Sequence, residues 1–138
     1  MKLDISTMFF VLGAISVLAS AFAWFLFINN RAINGVLAVA LSNSFFAFGF
    51  GAIAYRLYLP GWMSFFAGNA AIFCGYSLVL FGLLQFTGRR ADWRLLLCGL
   101  VIYSAEYAYY YFIDDDFKMR LLCYLVVYSI ILLWAFAA

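Results

Sequence analysis

Residues 59–90 read LPGWMSFFAGNAAIFCGYSLVLFGLLQFTGRR, and this apolar stretch decides the fold of the chain. Pro60 suits the first turn of a helix, because the N–H group that proline lacks would have no partner there. At about 1.5 Å per residue, residues 61–86 are long enough to cross roughly 30 Å of hydrocarbon. Arg89 and Arg90 form a basic end that suits the cytoplasmic surface of a membrane. The stretch therefore predicts a transmembrane helix with a defined direction.

Glycines recur at every seventh position of this stretch, so they share one face of the predicted helix. The apolar run before it carries small residues at the same spacing. Small residues between membrane helices let two backbones approach closely. We therefore expect the two small-residue faces to take part in helix packing. Their members are Gly61, Gly68, Gly75 and Gly82 in the quoted stretch, and Gly35, Ser42 and Gly49 in the run before it.

The composition indicates that lipid is the solvent for most of the chain. Of its 138 residues, 70% are hydrophobic and only 10% are charged, whereas soluble domains carry about 25% charged residues. A soluble domain of this length cannot hide so much apolar surface. The net charge of +2 is too small to indicate nucleic acid as a partner. We therefore expect a single transmembrane domain, residues 1–138.

Short polar breaks divide the chain into five apolar runs. They predict an all-α integral membrane protein, a bundle of five transmembrane helices. The last run reaches Ala138 without a polar tail, so we expect the bundle to be part of a larger helical membrane domain. The predicted helices are residues 7–28, 32–58, 61–86, 93–112 and 119–138.

The arginines predict an orientation in the membrane. Arg89, Arg90 and Arg94 cluster beside the end of the third run, and such clusters resist translocation. If this cluster is cytoplasmic, the N-terminus and Arg56 lie outside and the C-terminus lies in the cytoplasm. We expect this arrangement in the inner membrane of a bacterium.

Glu106 is the clearest candidate for a ligand-binding group, because an ionisable side chain at membrane depth is costly unless it is paired or faces a cavity. Tyr103, Tyr107 and Tyr110 share its helix face. Arg56 would lie at a similar depth, so one hypothesis is an Arg56–Glu106 pair in an outward-facing polar pocket lined by these tyrosines. In the alternative, Glu106 reaches the headgroups and the tyrosines belong to an aromatic belt.

Asn69 is a further polar side chain in the third run. It is either a hydrogen-bonding contact between helices or, as the alternative, part of the ligand site.

Catalytic and metal chemistry find no support in the residues. The chain has no histidine, which excludes histidine-ligated haem, HExxH metal sites and Ser/His or Cys/His nucleophiles. Cys74, Cys98 and Cys123 stand singly in apolar runs, without zinc or disulfide spacing. We therefore expect no catalytic residue, no metal site and no cofactor.

Part of the chain resembles a known family of membrane sensors. Residues 56–90 are similar to the N-terminal multi-helix membrane sensor region of bacterial diguanylate cyclases, in which a cytoplasmic GGDEF domain makes cyclic di-GMP. The second run and the start of the fifth extend the likeness, but the chain contains no GGDEF signature, so no catalytic residue carries over. The residues that carry the resemblance are Arg56, Leu59-Pro60, Trp62, Ser64, Asn69, Gly75, Gly82, Phe86, Gly88-Arg89 and Arg120-Leu121-Leu122.

The resemblance implies a sensory or regulatory input module without catalysis of its own, which signals to a cyclase. Its partners would be the lipid bilayer and an unknown small or lipophilic ligand. One alternative is a non-catalytic helical subunit of a larger membrane complex, whose glycine faces mate with other transmembrane helices or with an identical chain. A small transporter is the third interpretation.

Overall fold

The computed structural model describes residues 5–89, 93–112, 122, 125–130 and 133, and in this part of the chain every regular element is helical. The prediction of an all-α fold is confirmed there. A π-helical segment, Trp62–Ala67, runs directly into the third α-helix, and residues 125–130 form a further helical stretch. The α-helices are α1 (Ile5–Asn29), α2 (Val36–Ala54), α3 (Gly68–Phe86) and α4 (Trp93–Phe112).

Three helical stretches of the described chain are long and apolar enough to cross a membrane: Thr7–Asn29, Val36–Ala54 and Trp62–Phe86. They coincide with the first three predicted spans. The fourth predicted helix, residues 93–112, coincides with α4 (Trp93–Phe112), within which the described residues include the apolar stretch Leu97–Glu106. Most of the predicted helix 119–138 lies outside the described residues. Among the described residues the structure therefore supports membrane association through three helices, and the bundle of five spans stays a prediction.

The second helix is shorter than the predicted range 32–58. Gly35 precedes α2 with a φ of 91°, a left-handed conformation that glycine adopts without strain. At the other end the Arg56 N–H group donates to the Ile53 carbonyl over 3.3 Å, which tightens the chain into a turn. Arg56 thus lies in the turn after α2 and not on a helix face.

The π-helical segment is a feature that the sequence pattern did not predict. Ser64, in its first turn, is wholly buried, and its hydroxyl donates to the Gly61 carbonyl over 3.2 Å. A π-helix has i→i+5 hydrogen bonds and therefore more residues per turn than an α-helix. The seven-residue spacing that aligns the glycines of α3 does not extend through it, and Gly61 is exposed.

The helices pack in chain order. Among the described elements α1 contacts α2 alone, and α2 lies between α1 and α3. The fourth helix packs against α3 and the π-helical segment, without close backbone contact to α2. As a result α2 and α4 both pack against α3 without touching each other closely through their backbones.

The buried core joins α3, α4 and residues 125–130. It contains Phe73, Tyr103 and Val127. The rings of Phe73 and Tyr103 stack with their centroids 4.7 Å apart and an angle of 2° between their planes. The chain after α4 therefore returns to pack against α3.

Candidate functional site

The backbones of α2 and α3 approach closely at Gly49 and Gly68. A Cβ atom built on Gly49 would lie 2.7 Å from the Gly68 carbonyl oxygen, and one built on Gly68 would lie 3.3 Å from the Gly49 carbonyl oxygen. A side chain on Gly49 would therefore force the helices to shift, whereas one on Gly68 would be tight. The two backbones touch because both residues are glycine.

The same packing recurs at the other end of the two helices. A Cβ atom on Gly82 would lie 3.0 Å from the Gly35 carbonyl oxygen, and one on Gly35 would collide with the Gly82 carbonyl oxygen. Halfway between the two contacts, Ser42 is wholly buried. A Cβ atom on Gly75 would lie 2.6 Å from the Phe46 ring. Six of the seven residues that the spacing singled out thus lie along this pair of helices, whereas Gly61 does not.

A groove of about 370 Å³ opens beside this interface, between α2, α3 and α4. It lies in the half of the bundle where α3 ends and α4 begins. Its size falls within the range of small-molecule pockets, about 300–1,000 Å³. The lining residues are Leu41, Phe45, Phe73, Cys74, Ser77, Leu78, Phe81, Trp93, Leu97 and Leu100.

Ser77 is one of the residues that line this groove. It is 5% exposed, and its Oγ atom is buried without a hydrogen-bond partner. By contrast, the hydroxyls of Ser42 and Ser44 donate to backbone carbonyls one turn earlier, at 2.7 and 3.1 Å. A buried hydroxyl without a partner costs roughly 1–3 kcal/mol.

The described lining of the groove carries no charge. None of these residues is acidic or basic, and a charge placed at membrane depth without a partner is strongly disfavoured. Three exposed or partly exposed aromatic side chains, Phe45, Phe81 and Trp93, contribute ring surface. The described lining is thus suited to an uncharged molecule with apolar surface.

The described structure does not show the ion pair predicted between Arg56 and Glu106. The Glu106 Oε2 atom is buried without a hydrogen-bond partner among the described residues. Arg56 lies in the turn after α2, and α4 makes no close backbone contact with α2. Since two tyrosine side chains of the predicted pocket lie outside the described structure, the pocket stays a prediction.

The other predicted ligand residues have different surroundings. Tyr103 is 3% exposed and stacks in the core against Phe73. The side chains of Tyr107 and Tyr110 lie outside the described part of the structure. Asn69 Nδ2 donates to the Phe65 carbonyl over 2.6 Å, one turn earlier. The four predicted residues of α4 therefore do not gather with Arg56 into one described site.

A second groove, of about 360 Å³, lies near the turn that holds Arg56, but Arg56 does not line it. It is apolar and more open than the first. Its lining residues are Ala47, Phe48, Gly51, Ala52, Tyr55, Tyr58, Leu59 and Met63.

A polar contact fixes α1 to α2. The hydroxyls of Ser20 and Ser44 lie 2.8 Å apart, and Trp24 Nε1 donates to Ser44 Oγ over 3.0 Å. Ser20 and Trp24 are four residues apart and hence on one face of α1. That spacing was the available sequence signal for this contact, which sequence reasoning missed.

Ser77 was also missed by sequence reasoning. A serine in an apolar run ordinarily bonds to its own helix backbone, so its position alone carries no signal. Only the arrangement of three helices shows that it lines a groove.

Comparison of the chain with protein-family models, with curated proteins and with solved structures found no match.

Proposed function

We propose that this chain is the membrane-embedded input module of a sensor, which signals to a cytoplasmic diguanylate cyclase and has no catalysis of its own. The observation that carries the proposal is the groove between α2, α3 and α4. A pocket of this kind, concave and mostly apolar, is typical of a ligand site. The cyclase as output comes from the resemblance of residues 56–90 to sensor regions.

The proposed signal is a change in how α4 packs beside α2 and α3. A molecule in the groove would contact all three helices, and it would favour whichever arrangement it binds more tightly. The glycine contacts make α2 and α3 one closely packed pair, so α4 is the element with freedom to shift. Movements of about 1–2 Å are typical of such helix shifts.

In the proposed topology five helices span the inner membrane of a bacterium, with the N-terminus outside and the C-terminus in the cytoplasm. The groove then lies in the cytoplasmic half of the bilayer. A membrane-dissolved ligand would reach it sideways, from the lipid.

The test is the concentration of cyclic di-GMP in bacteria that express the complete native reading frame. We expect Leu97→Trp, which fills the groove, to change this concentration several-fold. The matched control is Leu18→Trp on α1, where the side chain is 72% exposed and the same enlargement meets lipid. Equal concentrations in all three strains would contradict the proposal, as would a reading frame without a cyclase domain.

The alternative function, a non-catalytic subunit of a larger membrane complex, is favoured by one observation. The first helix contacts α2 alone among the described elements and leaves large apolar side chains such as Phe22 and Phe25 exposed. A helix of a partner protein could cover this face in place of lipid. Co-purification of a stoichiometric partner that detaches in a Phe22→Ala, Phe25→Ala variant would support this alternative.

A further inference from the structure

The groove between α2, α3 and α4 offers hydrocarbon contacts along most of its described lining. Four of the lining residues are leucines, and they come from all three helices: Leu41, Leu78, Leu97 and Leu100. A space left empty beside them would forfeit the dispersion contacts of the groove wall. In a bilayer the acyl chain of a lipid can supply these contacts, because it is apolar and adapts its shape. An acyl chain therefore suits the apolar part of the site.

Trp93 places one end of the groove at the level of the lipid headgroups. It lines the groove, begins α4 and is 58% exposed. Tryptophan side chains are enriched where a membrane meets water, because the ring is apolar and its N–H group is polar. The indole N–H group donates hydrogen bonds and does not accept them. It therefore suits the ester carbonyl and phosphate oxygens of a phospholipid, which are acceptors at this depth.

Two arginines lie beside this end of the groove. Arg94 follows Trp93 in the first turn of α4 and is exposed. Arg89 is exposed as well, and its backbone is fixed at the end of α3. Its N–H group donates to the Leu84 carbonyl over 2.9 Å, and Gly88 before it has a φ of 74°, which is the Schellman motif that ends a helix. Because α3 ends where α4 begins, both arginines belong to the same membrane surface as Trp93.

The charge at this surface is positive. Residues 88–94 contain three arginines and one aspartate. A guanidinium group binds phosphate through paired N–H donors, and it has further donors for other contacts. Basic pockets between membrane helices bind the head groups of anionic lipids. A zwitterionic headgroup gains less here, because it brings a cation of its own to the arginines.

We infer that the groove is a binding site for an anionic phospholipid, with one acyl chain in the groove and the phosphate of the headgroup bound by Arg89 and Arg94. The inference names the ligand class of the proposed sensor site and rests on the proposed function for its meaning as a signal. The binding itself can be measured alone.

Binding is measured by native mass spectrometry of the full chain in detergent, with equal concentrations of dioleoyl phosphatidylglycerol and dioleoyl phosphatidylcholine. The two lipids have identical acyl chains and differ in headgroup charge. The ratio of their complexes therefore reports the preference for an anionic headgroup. Circular dichroism checks that each variant is folded.

We expect the wild type to prefer phosphatidylglycerol. Arg89→Gln and Arg94→Gln should each lower this preference by about fivefold, the contribution of one basic residue near a membrane surface. The matched control is Arg31→Gln, the same change of charge at the same end of the bundle. Arg31 is exposed in the turn after α1, and α1 contacts neither α3 nor α4 among the described elements. This variant should keep the wild-type preference.

A second pair of variants tests the acyl chain. Leu97→Trp fills the groove without a change of charge, so we expect several-fold less phosphatidylglycerol bound. Leu18→Trp, on the exposed face of α1, should bind as much as the wild type.

Three results would overturn the inference. Equal binding of the two lipids by the wild type would exclude an anionic headgroup as the determinant. Equal losses in Arg31→Gln and Arg89→Gln would mean that the whole charged surface attracts the lipid without a site at the groove. Unchanged phosphatidylglycerol binding in Leu97→Trp would place the acyl chain outside the groove.

The two proposals fail separately. Phosphatidylglycerol binding that depends on Arg89 and Leu97, together with cyclic di-GMP that does not respond to Leu97→Trp, would support the lipid site and contradict the sensor. Cyclic di-GMP that responds to Leu97→Trp, together with no preference for phosphatidylglycerol, would contradict the ligand class alone.

Discussion

Among the residues that line the α2–α3–α4 groove, Ser77 allows a direct test of the structure, because its hydroxyl is buried. In the free protein this buried group lacks a partner. We therefore expect Ser77→Ala to raise the free energy of unfolding, by about 1 kcal/mol. Unfolding in mixed detergent micelles measures it. Ser42→Ala is the matched control: its hydroxyl donates to the Val39 carbonyl, so the same change should lower stability. A loss of stability in both variants would contradict the account.

Two glycines of α2 differ in their surroundings, so replacing each in turn tests whether α2 and α3 pack closely. Gly49 touches α3, whereas a Cβ atom on Gly51 would meet nothing within 4 Å. We expect Gly49→Ala to lower the free energy of unfolding by roughly 1–3 kcal/mol, because overpacking forces the backbones apart. Gly51→Ala should leave stability unchanged or raise it by up to about 1 kcal/mol, since alanine is the better helix former.

The measurement is the same for both glycine variants, equilibrium unfolding of the full chain in micelles followed by circular dichroism. Similar values for Gly49→Ala and Gly51→Ala would show that α2 and α3 are not packed through Gly49.

At the level of elements, the contact of α1 with α2 depends on a small hydrogen-bonded cluster. Trp24 Nε1 and the Ser20 hydroxyl both meet Ser44 Oγ. Side-chain hydrogen bonds between membrane helices contribute about 0.6 kcal/mol on average. We predict a coupling energy of that size between Trp24→Phe and Ser44→Ala in a double-mutant cycle of unfolding free energies.

The control for this cycle pairs Trp24→Phe with Ser42→Ala, because Ser42 bonds within its own helix. Its coupling energy should be close to zero. Equal coupling in the two cycles would mean that Ser44 does not join α1 to α2.

The sequence predicted which helix faces carry the small residues, because residues seven positions apart lie on nearly the same face of a straight α-helix. It failed at Gly61, where the π-helical segment changes the number of residues per turn. It also extended α2 to residue 58, since hydrophobicity continues through Tyr55 and Leu57 after the backbone has turned. Hydrophobic residues occur in turns as well as in helices, so hydrophobicity alone does not give the end of a helix.

On the scale of the whole molecule, the proposed orientation predicts which residues are reachable from each side. Arg56→Cys should react with a membrane-impermeant maleimide added to intact spheroplasts. Arg31→Cys should react only after the membrane is opened, because it belongs to the cytoplasmic side. The unmodified chain, with its native cysteines, gives the background. Reaction of Arg31→Cys in intact spheroplasts would reverse the topology.

The composition was sufficient to predict a helical membrane protein, because no other fold tolerates so much apolar surface on a short chain. The place of the ligand groove was beyond sequence reasoning. Glu106 drew attention as the charged residue, yet the groove depends on how α2 and α4 both pack against α3. Such an arrangement is a property of three helices together, and no residue pattern along one of them encodes it.

The central claim is that occupation of the groove is what the module senses. Its most direct test is the cyclic di-GMP concentration in bacteria that express the complete native reading frame, compared between the wild type, Leu97→Trp in the groove and Leu18→Trp on the exposed face of α1. The account predicts that Leu97→Trp changes the concentration several-fold and that Leu18→Trp leaves it at the wild-type value. The same concentration in the wild type and in Leu97→Trp would contradict the claim.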